Sequence, residues 1–272
     1  MSGAADGATP SRAAWQPFTF GGLAAFARAP LGRLLLVELA TAILVGASVV
    51  YFLHRAWSPV ILQSIQQMPE SAKIAGGRLT GVDETLIAGT KLFAIAVTPE
   101  SSEQIGQSAD VQVQFRPADF RIGSVFCPDW GWEFEYGPKV SLPLGRPNLE
   151  PWWGAWQPVL LTGAGLAVVV LLFGIWAMLA LIYTLPAKCI AWLANRQLSW
   201  LGGWRLGSAA LLPGAILMGA ALLLYAGQVV DMIGLASFFV THLIIGWIYV
   251  LGGVWACPPL FSDILKQNPF TD

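Results

Sequence analysis

Four long apolar stretches constrain this chain more than any other feature. A helix needs about 20 apolar residues to cross the hydrocarbon core of a bilayer, and the segments 34–53, 159–183, 206–226 and 232–254 meet that requirement. Only 11% of the 272 residues are charged, whereas a soluble domain carries about 25%. Much of the folded surface is therefore not in contact with water, and the sequence predicts an integral membrane protein.

The segments between these stretches define the predicted domain organisation. The predicted regions are a cytoplasmic N-terminal segment (1–33), transmembrane helix 1 (34–53), an extracytoplasmic domain (54–158), transmembrane helix 2 (159–183), a cytoplasmic interfacial helix (184–205), transmembrane helices 3 (206–226) and 4 (232–254), and a cytoplasmic tail (255–272). A fifth short span is an alternative for 184–205, whose basic and tryptophan-rich composition favours a helix lying in the membrane interface. A cleaved signal peptide is the alternative for 34–53, but both that stretch and the segment before it are longer than the usual signal.

The lysines and arginines of short connecting segments predict the orientation. Cytoplasmic loops carry an excess of these residues. They occur before the first span, between the second and third spans and in the tail: Arg12, Arg28, Arg33, Lys188, Arg196, Arg205 and Lys266. The connection between the third and fourth spans carries only Asp231. We therefore expect a bacterial inner-membrane protein with both termini in the cytoplasm and the 54–158 domain outside.

Tryptophans are placed where two aromatic belts would lie. Trp and Tyr are enriched at both membrane–water interfaces. The predicted interface anchors are Trp152, Trp153 and Trp156 before the second span, and Trp192, Trp200 and Trp204 before the third.

The predicted extracytoplasmic domain combines a short helix with strands. Ser58-Pro59 is typical of a helix start, with serine as the cap and proline at the first helical position, and Ile61, Ile65 and Met68 then share one face at helical spacing. The alternative is that this short helix extends the first span. Further along, Val111, Val113 and Phe115 alternate with Gln112 and Gln114, and Trp132, Phe134 and Tyr136 alternate with Glu133 and Glu135. Such alternation predicts strands with one covered face and one face in water. The fold class is thus a membrane α-helical bundle of about four helices with an inserted small mixed, mainly antiparallel-β domain.

Three acidic or imidazole side chains lie within or at the border of the spans: Glu38, His242 and Asp231. Ionisable residues inside a membrane are costly and are candidates for function. For Glu38 the structural alternative is a hydrogen bond to Arg33 or Arg205, and the functional one is a proton or ion ligand. For His242 the alternatives are an interhelical hydrogen bond and a proton relay. Their depths in the predicted spans differ by about 12 Å, so we expect no direct contact between them.

No motif for chemistry is present in the sequence. It contains no nucleophile elbow, phosphate-binding loop, dinucleotide fingerprint or zinc-protease helix, so no catalytic residue, metal ligand or cofactor is predicted. The absence of a basic stripe excludes a nucleic-acid partner. Cys127, Cys189 and Cys257 are far apart and form no metal-binding pair, so we expect them to be small buried apolar residues.

Two short motifs carry a family resemblance. Met68-Pro69-Glu70 followed by Ile-Ala-Gly-Gly-Arg-Leu at 74–79 is similar to the opening of the outer domain in a bacterial membrane family of unknown function, related to maltodextrin-utilisation membrane proteins within the Yip-type clan. Leu-Leu-Pro-Gly at 211–214 resembles the start of a late span in Yip-type proteins. The resemblance implies the same order of spans and outer domain, and it implies no catalytic residue.

Three functional hypotheses follow. The first is an accessory or scaffold protein of the lipid bilayer whose extracytoplasmic domain binds a partner protein or a ligand. The alternative is a subunit of an oligomeric transporter or channel that uses Glu38 and His242, for which a homo-oligomer is expected. An intramembrane enzyme is the third class, and it lacks any nucleophile–base arrangement in the sequence.

Overall fold

A computed structural model of the protein describes residues 16–99 and 108–260, with the backbone alone for residues 127–130. Four helices in this part of the chain are long and apolar enough to cross a membrane: Leu31–Gln67, Arg146–Leu193, Trp200–Ala226 and Met232–Trp255. A small mixed β region lies between the first and second of them in sequence. The predicted combination of a multi-pass helical bundle and a β domain is confirmed at this level.

The structure divides into two compact units. We call them the helical unit (16–47, 166–221 and 233–260) and the β unit (48–99, 108–165 and 222–232). All four long helices contain residues of both units, so each residue is described with the unit to which it belongs.

The first long helix contains a change of hydrogen-bond pattern. Helix α2 (Leu31–Phe52) continues through a π-helical turn (Leu53–Trp57) into α3 (Ser58–Gln67). The prediction that Ser58 caps a new helix is wrong, because its hydroxyl donates back to the Leu53 carbonyl at 3.4 Å. Pro59 has no N–H to donate to the preceding turn, and the π-helical turn lies directly before it.

The second long helix changes the predicted boundaries. Helix α4 (Arg146–Leu193) has 48 residues, and a separate interfacial helix at 184–205 is therefore wrong. The helix continues through 184–193 because Ala187 and Ala191 are buried in the core of the helical unit. A short link then leads to α5 (Trp200–Ala226), with Asn195 in the left-handed region at φ 53°. Arg196 in this link forms an isolated β-bridge with Pro259, after α6 (Met232–Trp255).

Helix α5 is the most enclosed of the long helices. The most apolar segment of α5 is 56% buried, whereas the corresponding segments of α4 and α6 are each 11% buried. Pro213 lies inside α5, and the helix continues past it. The exposed faces of α4 and α6 are rich in Leu, Ile and Val, as suits contact with lipid.

A short helix near the start of the described chain was not predicted. Helix α1 (Phe20–Phe26) begins after Thr19, whose Oγ1 accepts a hydrogen bond from the Gly22 N–H at 3.1 Å. Leu23 and Phe26 are fully buried. Residues 20–26 are therefore part of the core of the helical unit.

The β unit contains two sheets. The strands are β1 (Lys73–Ala75), β2 (Arg78–Thr80), β3 (Leu86–Gly89), β4 (Phe93–Val97), β5 (Val111–Phe115), β6 (Asp119–Ser124), β7 (Cys127–Glu135) and β8 (Ser141–Pro143). The larger sheet has the order β3-β4-β5-β6-β7, in which only β4 and β5 are parallel. The smaller has the order β2-β1-β8 and is antiparallel.

Helix α3 packs on the larger sheet. Val60 and Ile61 of α3, together with Trp57, contact a cluster that includes Ala88 and Phe93. The Trp57 ring stacks on Phe93 with centroids 4.5 Å apart. The predicted helix on one side of a sheet is the arrangement found within this unit.

The predicted wet and covered faces are wrong for two strands. Gln112 and Gln114 of β5 are buried, and the Gln112 side-chain oxygen accepts hydrogen bonds from the Ser108 N–H and hydroxyl at 2.9 Å. In β7 Trp132 and Phe134 remain exposed, at 73% and 47%. Alternation in sequence shows which residues share a face of a strand. Which segment of the protein covers each face depends on residues that are distant in sequence.

Candidate functional site

Glu38 lies in the core of the helical unit. It is 3% exposed, and Thr41 and Ala42 on the same face of α2 are also buried. The Ser208 hydroxyl of α5 donates a hydrogen bond to the Glu38 carboxylate. The predicted partner Arg205 is wrong, because its guanidinium instead donates to the Ala29 carbonyl at 2.9 Å. Glu38 therefore faces a neighbouring helix, as its position among small residues predicted.

His242 is held by its own helix. A hydrogen bond joins its Nδ1 to the carbonyl oxygen of Phe239, one turn earlier, which assigns the ring proton to Nδ1. The predicted bond across helices is thus wrong for this nitrogen. Helices α5 and α6 nevertheless approach closely here, because a Cβ built on Gly214 would lie 2.8 Å from the His242 carbonyl oxygen. Glu38 and His242 have different partners, and nothing in the described structure joins them.

Asp231 directly precedes the first residue of α6. The acidic group that sequence reasoning missed is Asp110, which is 8% exposed and accepts a hydrogen bond from the Tyr225 hydroxyl at 2.8 Å within the β unit. The Phe52 ring stacks on Tyr225 with centroids 5.6 Å apart. These residues are separated by more than 100 positions in sequence, so no local pattern could identify the contact.

The predicted tryptophan anchors fall into two groups. Trp152, Trp156, Trp192 and Trp200 are exposed, as an interface anchor must be. Trp153 is 9% exposed, and Trp204 donates its indole N–H to the Ala177 carbonyl at 3.2 Å. Of the six, Trp153 is the one most enclosed by protein.

Trp153 lies in the wall of an apolar cavity of about 190 Å³ inside the β unit. We call this space the apolar cavity. Its walls come from α3 and the residue after it, from strands of both sheets, and from the start of α4 with Leu144 just before it: Ile61, Ser64, Ile65, Met68, Leu79, Ile95, Val97, Phe115, Leu144, Leu149, Trp152 and Trp153. No charged side chain is among them. An engineered apolar cavity of about 150 Å³ stays dry and binds benzene, so this one has room for a ring or a short length of acyl chain.

Trp153 also lines a second, more polar space of about 300 Å³. We call it the basic pocket. Its lining residues come from the π-helical turn, α3 and α4: His54, Arg55, Ser58, Pro59, Leu62, Trp153 and Gln157. His54 and Arg55 are exposed, and the pocket has no acidic side chain in its lining. One tryptophan thus separates an apolar space from a basic one.

The described residues contain no cluster of three His, Cys, Asp or Glu side chains that could hold a metal ion. Of the cysteines, Cys257 is buried and Cys189 is exposed on α4, so the prediction of a buried residue is wrong for Cys189. Burial raises the pKa of the Cys257 thiol, which keeps it protonated and unreactive. The side chain of Cys127 lies outside the described part of the structure.

No protein-family model, curated protein or solved structure matches this chain. The resemblance to the maltodextrin-utilisation-related membrane family stays a prediction.

Proposed function

We propose that this chain is an accessory or scaffold protein of a bacterial inner membrane whose β unit binds an apolar ligand. The observation that carries the proposal is the apolar cavity, because a concave space lined by aliphatic and aromatic side chains is what binding sites for apolar groups have in common. The lining has no acid, base or nucleophile pair, which favours binding over catalysis.

The proposed topology puts the β unit on the outer face and both termini in the cytoplasm. It is supported by the lysines and arginines of the short segments. Trp152, the exposed member of the cavity wall, lies seven residues before the predicted start of the second span. At 1.5 Å per residue that is about 10 Å from the hydrocarbon border. A ligand could therefore come from the bilayer.

A photoreactive lipid tests the proposal. The protein is placed in phosphatidylcholine nanodiscs that contain a phosphatidylcholine with a diazirine at the end of one acyl chain. After illumination and digestion, we expect mass spectrometry to find the label on cavity residues such as Met68 and Leu79.

Two matched variants make this test decisive. Ser64→Phe places a phenyl ring in the apolar cavity, which has room for a benzene-sized group, and should abolish labelling there. Gln63→Phe adds the same ring to the exposed face of the same helix and should leave labelling unchanged. Equal labelling of both variants and the unmodified protein would overturn the proposal.

The alternative, a transporter or channel subunit that uses Glu38 and His242, is favoured by one observation, the burial of the Glu38 carboxylate beside Ser208. His242 bonds to its own helix instead of to a shared path. Proton flux into liposomes that carry the protein tests this alternative: loss of flux in Glu38→Gln would support it, and an unchanged rate would exclude Glu38 from it.

A further inference from the structure

We infer that the ligand of the β unit is an anionic phospholipid, whose headgroup lies in the basic pocket while one acyl chain enters the apolar cavity. The inference rests on the proposed function and adds the chemical class of the ligand. It starts from the one residue that the two spaces share: Trp153 lines both. An amphiphile that passes this ring would have its polar end among His54 and Arg55 and its apolar end among aliphatic side chains.

The charge of the basic pocket is not used within the described protein. Within the described residues, Arg55 takes part in no salt bridge, and its guanidinium forms no hydrogen bond there. The lining offers it no carboxylate. A guanidinium has five N–H donors in a planar fork that matches phosphate oxygens. The Arg55 guanidinium is therefore suited to bind an anion such as a phosphate group.

The position of the basic pocket also fits a headgroup. His54 and Arg55 follow the predicted first span directly, and Gln157 lies two residues before the predicted second span. Both walls of the pocket are thus at the level where a predicted membrane span ends, although the helices themselves continue beyond it. The π-helical turn at Leu53–Trp57 holds one more residue per turn than an α-helix, and π-turns of this kind are frequent at functional sites.

The sizes of the two spaces agree with this division. About 190 Å³ of apolar space holds a short part of one acyl chain, and the remaining chain would stay in the bilayer. The basic pocket, at about 300 Å³, has room for a phosphate group together with Ser58 and Gln157 as hydrogen-bond partners. A free anion would use the basic pocket alone and would leave the apolar cavity without a role.

Lipid retention tests the inference. The protein is extracted from nanodiscs of equal phosphatidylglycerol and phosphatidylcholine, and native mass spectrometry measures which lipid stays bound. We expect phosphatidylglycerol to be retained in preference. Arg55→Gln should reduce that preference about fivefold, since one basic group near a membrane surface changes anionic-lipid binding by about that factor. Arg78→Gln removes the same charge from an exposed strand position of the β unit and should change nothing.

The outcomes separate this inference from the proposed function. Equal retention of the two lipids, or an Arg55→Gln preference equal to that of the unmodified protein, would overturn the anionic headgroup while acyl labelling of the apolar cavity could still hold. Loss of the retained lipid on addition of inorganic phosphate would identify a free anion as the ligand of the basic pocket and would also overturn the inference. Retention that survives phosphate and depends on Arg55 supports it.

Discussion

The helical unit and the β unit bury side chains of different sizes. Alanine is the commonest residue in the buried cluster of the helical unit, where Ala42, Ala209 and Ala210 are fully buried. The β unit instead buries larger side chains such as Met68, Leu79 and Phe93, and it encloses the apolar cavity. Inside a membrane the hydrophobic effect does not drive helices together. Small residues stabilise helix association there because they let the helix backbones approach closely. Large side chains around a sheet leave space that a ligand can occupy.

The two units therefore tolerate substitutions at different kinds of position. A backbone-to-backbone contact has no flexible group that can move aside, so an added methyl group must separate two helices. A cavity wall can accept added atoms without such movement. Substitutions at helix crossings should therefore cost more than substitutions around the cavity.

Adding one methyl group at a helix crossing gives the largest expected effect. In Gly214→Ala the new Cβ would lie 2.8 Å from the His242 carbonyl oxygen, so α5 and α6 must move apart at a cost of about 1–3 kcal/mol. Gly174→Ala makes the same change in α4, where nothing lies within 4 Å of the added Cβ. It should be neutral or stabilising by about 0.5–1 kcal/mol, because alanine favours helix more than glycine. Thermal unfolding of both variants in one detergent measures the difference, and equal melting temperatures would refute a tight crossing.

Removing a buried hydrogen bond in the β unit comes next. Tyr225→Phe leaves the Asp110 carboxylate buried without the hydroxyl that donates to it at 2.8 Å, and we expect a loss of about 1–2 kcal/mol. A double-mutant cycle with Asp110→Ala isolates the pair from other effects. If the losses of unfolding free energy in Tyr225→Phe and Asp110→Ala add fully in the double variant, the hydrogen bond does not contribute to stability.

The sequence predicted the helical unit better than the β unit, for a physical reason. The length and apolarity of a span are local properties, so all four long helices were predicted. The burial of Glu38 followed from the small residue Ala42, which lies on the same face of the helix. The partner of Glu38 was missed because Ser208 is 170 residues away. Helix α1 was missed because seven residues are too few to show a clear period.

The β unit depends more on contacts between distant segments. Period-two alternation located β5 and β7, but it could not show that Gln112 and Gln114 would be covered or that Trp132 would stay exposed. The apolar cavity joins residues from Ile61 to Trp153, and its size depends on how three elements meet. Trp153 was predicted as a membrane anchor from its neighbours, and its role as a shared wall became visible only in three dimensions.

The hydrogen bond between α2 and α5 should have a smaller effect. Ser208→Ala removes the donor to the Glu38 carboxylate, and interhelical hydrogen bonds in membranes are worth about 0.6 kcal/mol on average. Glu38→Gln keeps an oxygen that can accept from Ser208 and should cost less than Ser208→Ala. Thermal unfolding in detergent ranks the two variants, and a larger loss for Glu38→Gln would show that the charge itself, and not the acceptor, stabilises the helical unit.

The smallest expected effects concern two arginines of the β unit that differ in how far their side chains are exposed. Arg116 donates to Asp119 at 2.6 Å and to Glu133 at 2.9 Å, and its side chain is 20% exposed. The hydrogen bond to Asp119 raises the pKa of Arg116, so the guanidinium stays charged at any accessible pH. Within the described part of the chain, Arg146 pairs only with Glu150, at 3.1 Å, and is 51% exposed. We expect Arg116→Gln to cost about 1 kcal/mol, the upper end for such pairs, and Arg146→Gln less than about 0.5 kcal/mol.

Unfolding at low and high salt checks both the size of these effects and their cause. Salt screens exposed charges more than enclosed ones. The small effect of Arg146→Gln should therefore vanish at high salt, while most of the Arg116→Gln effect remains.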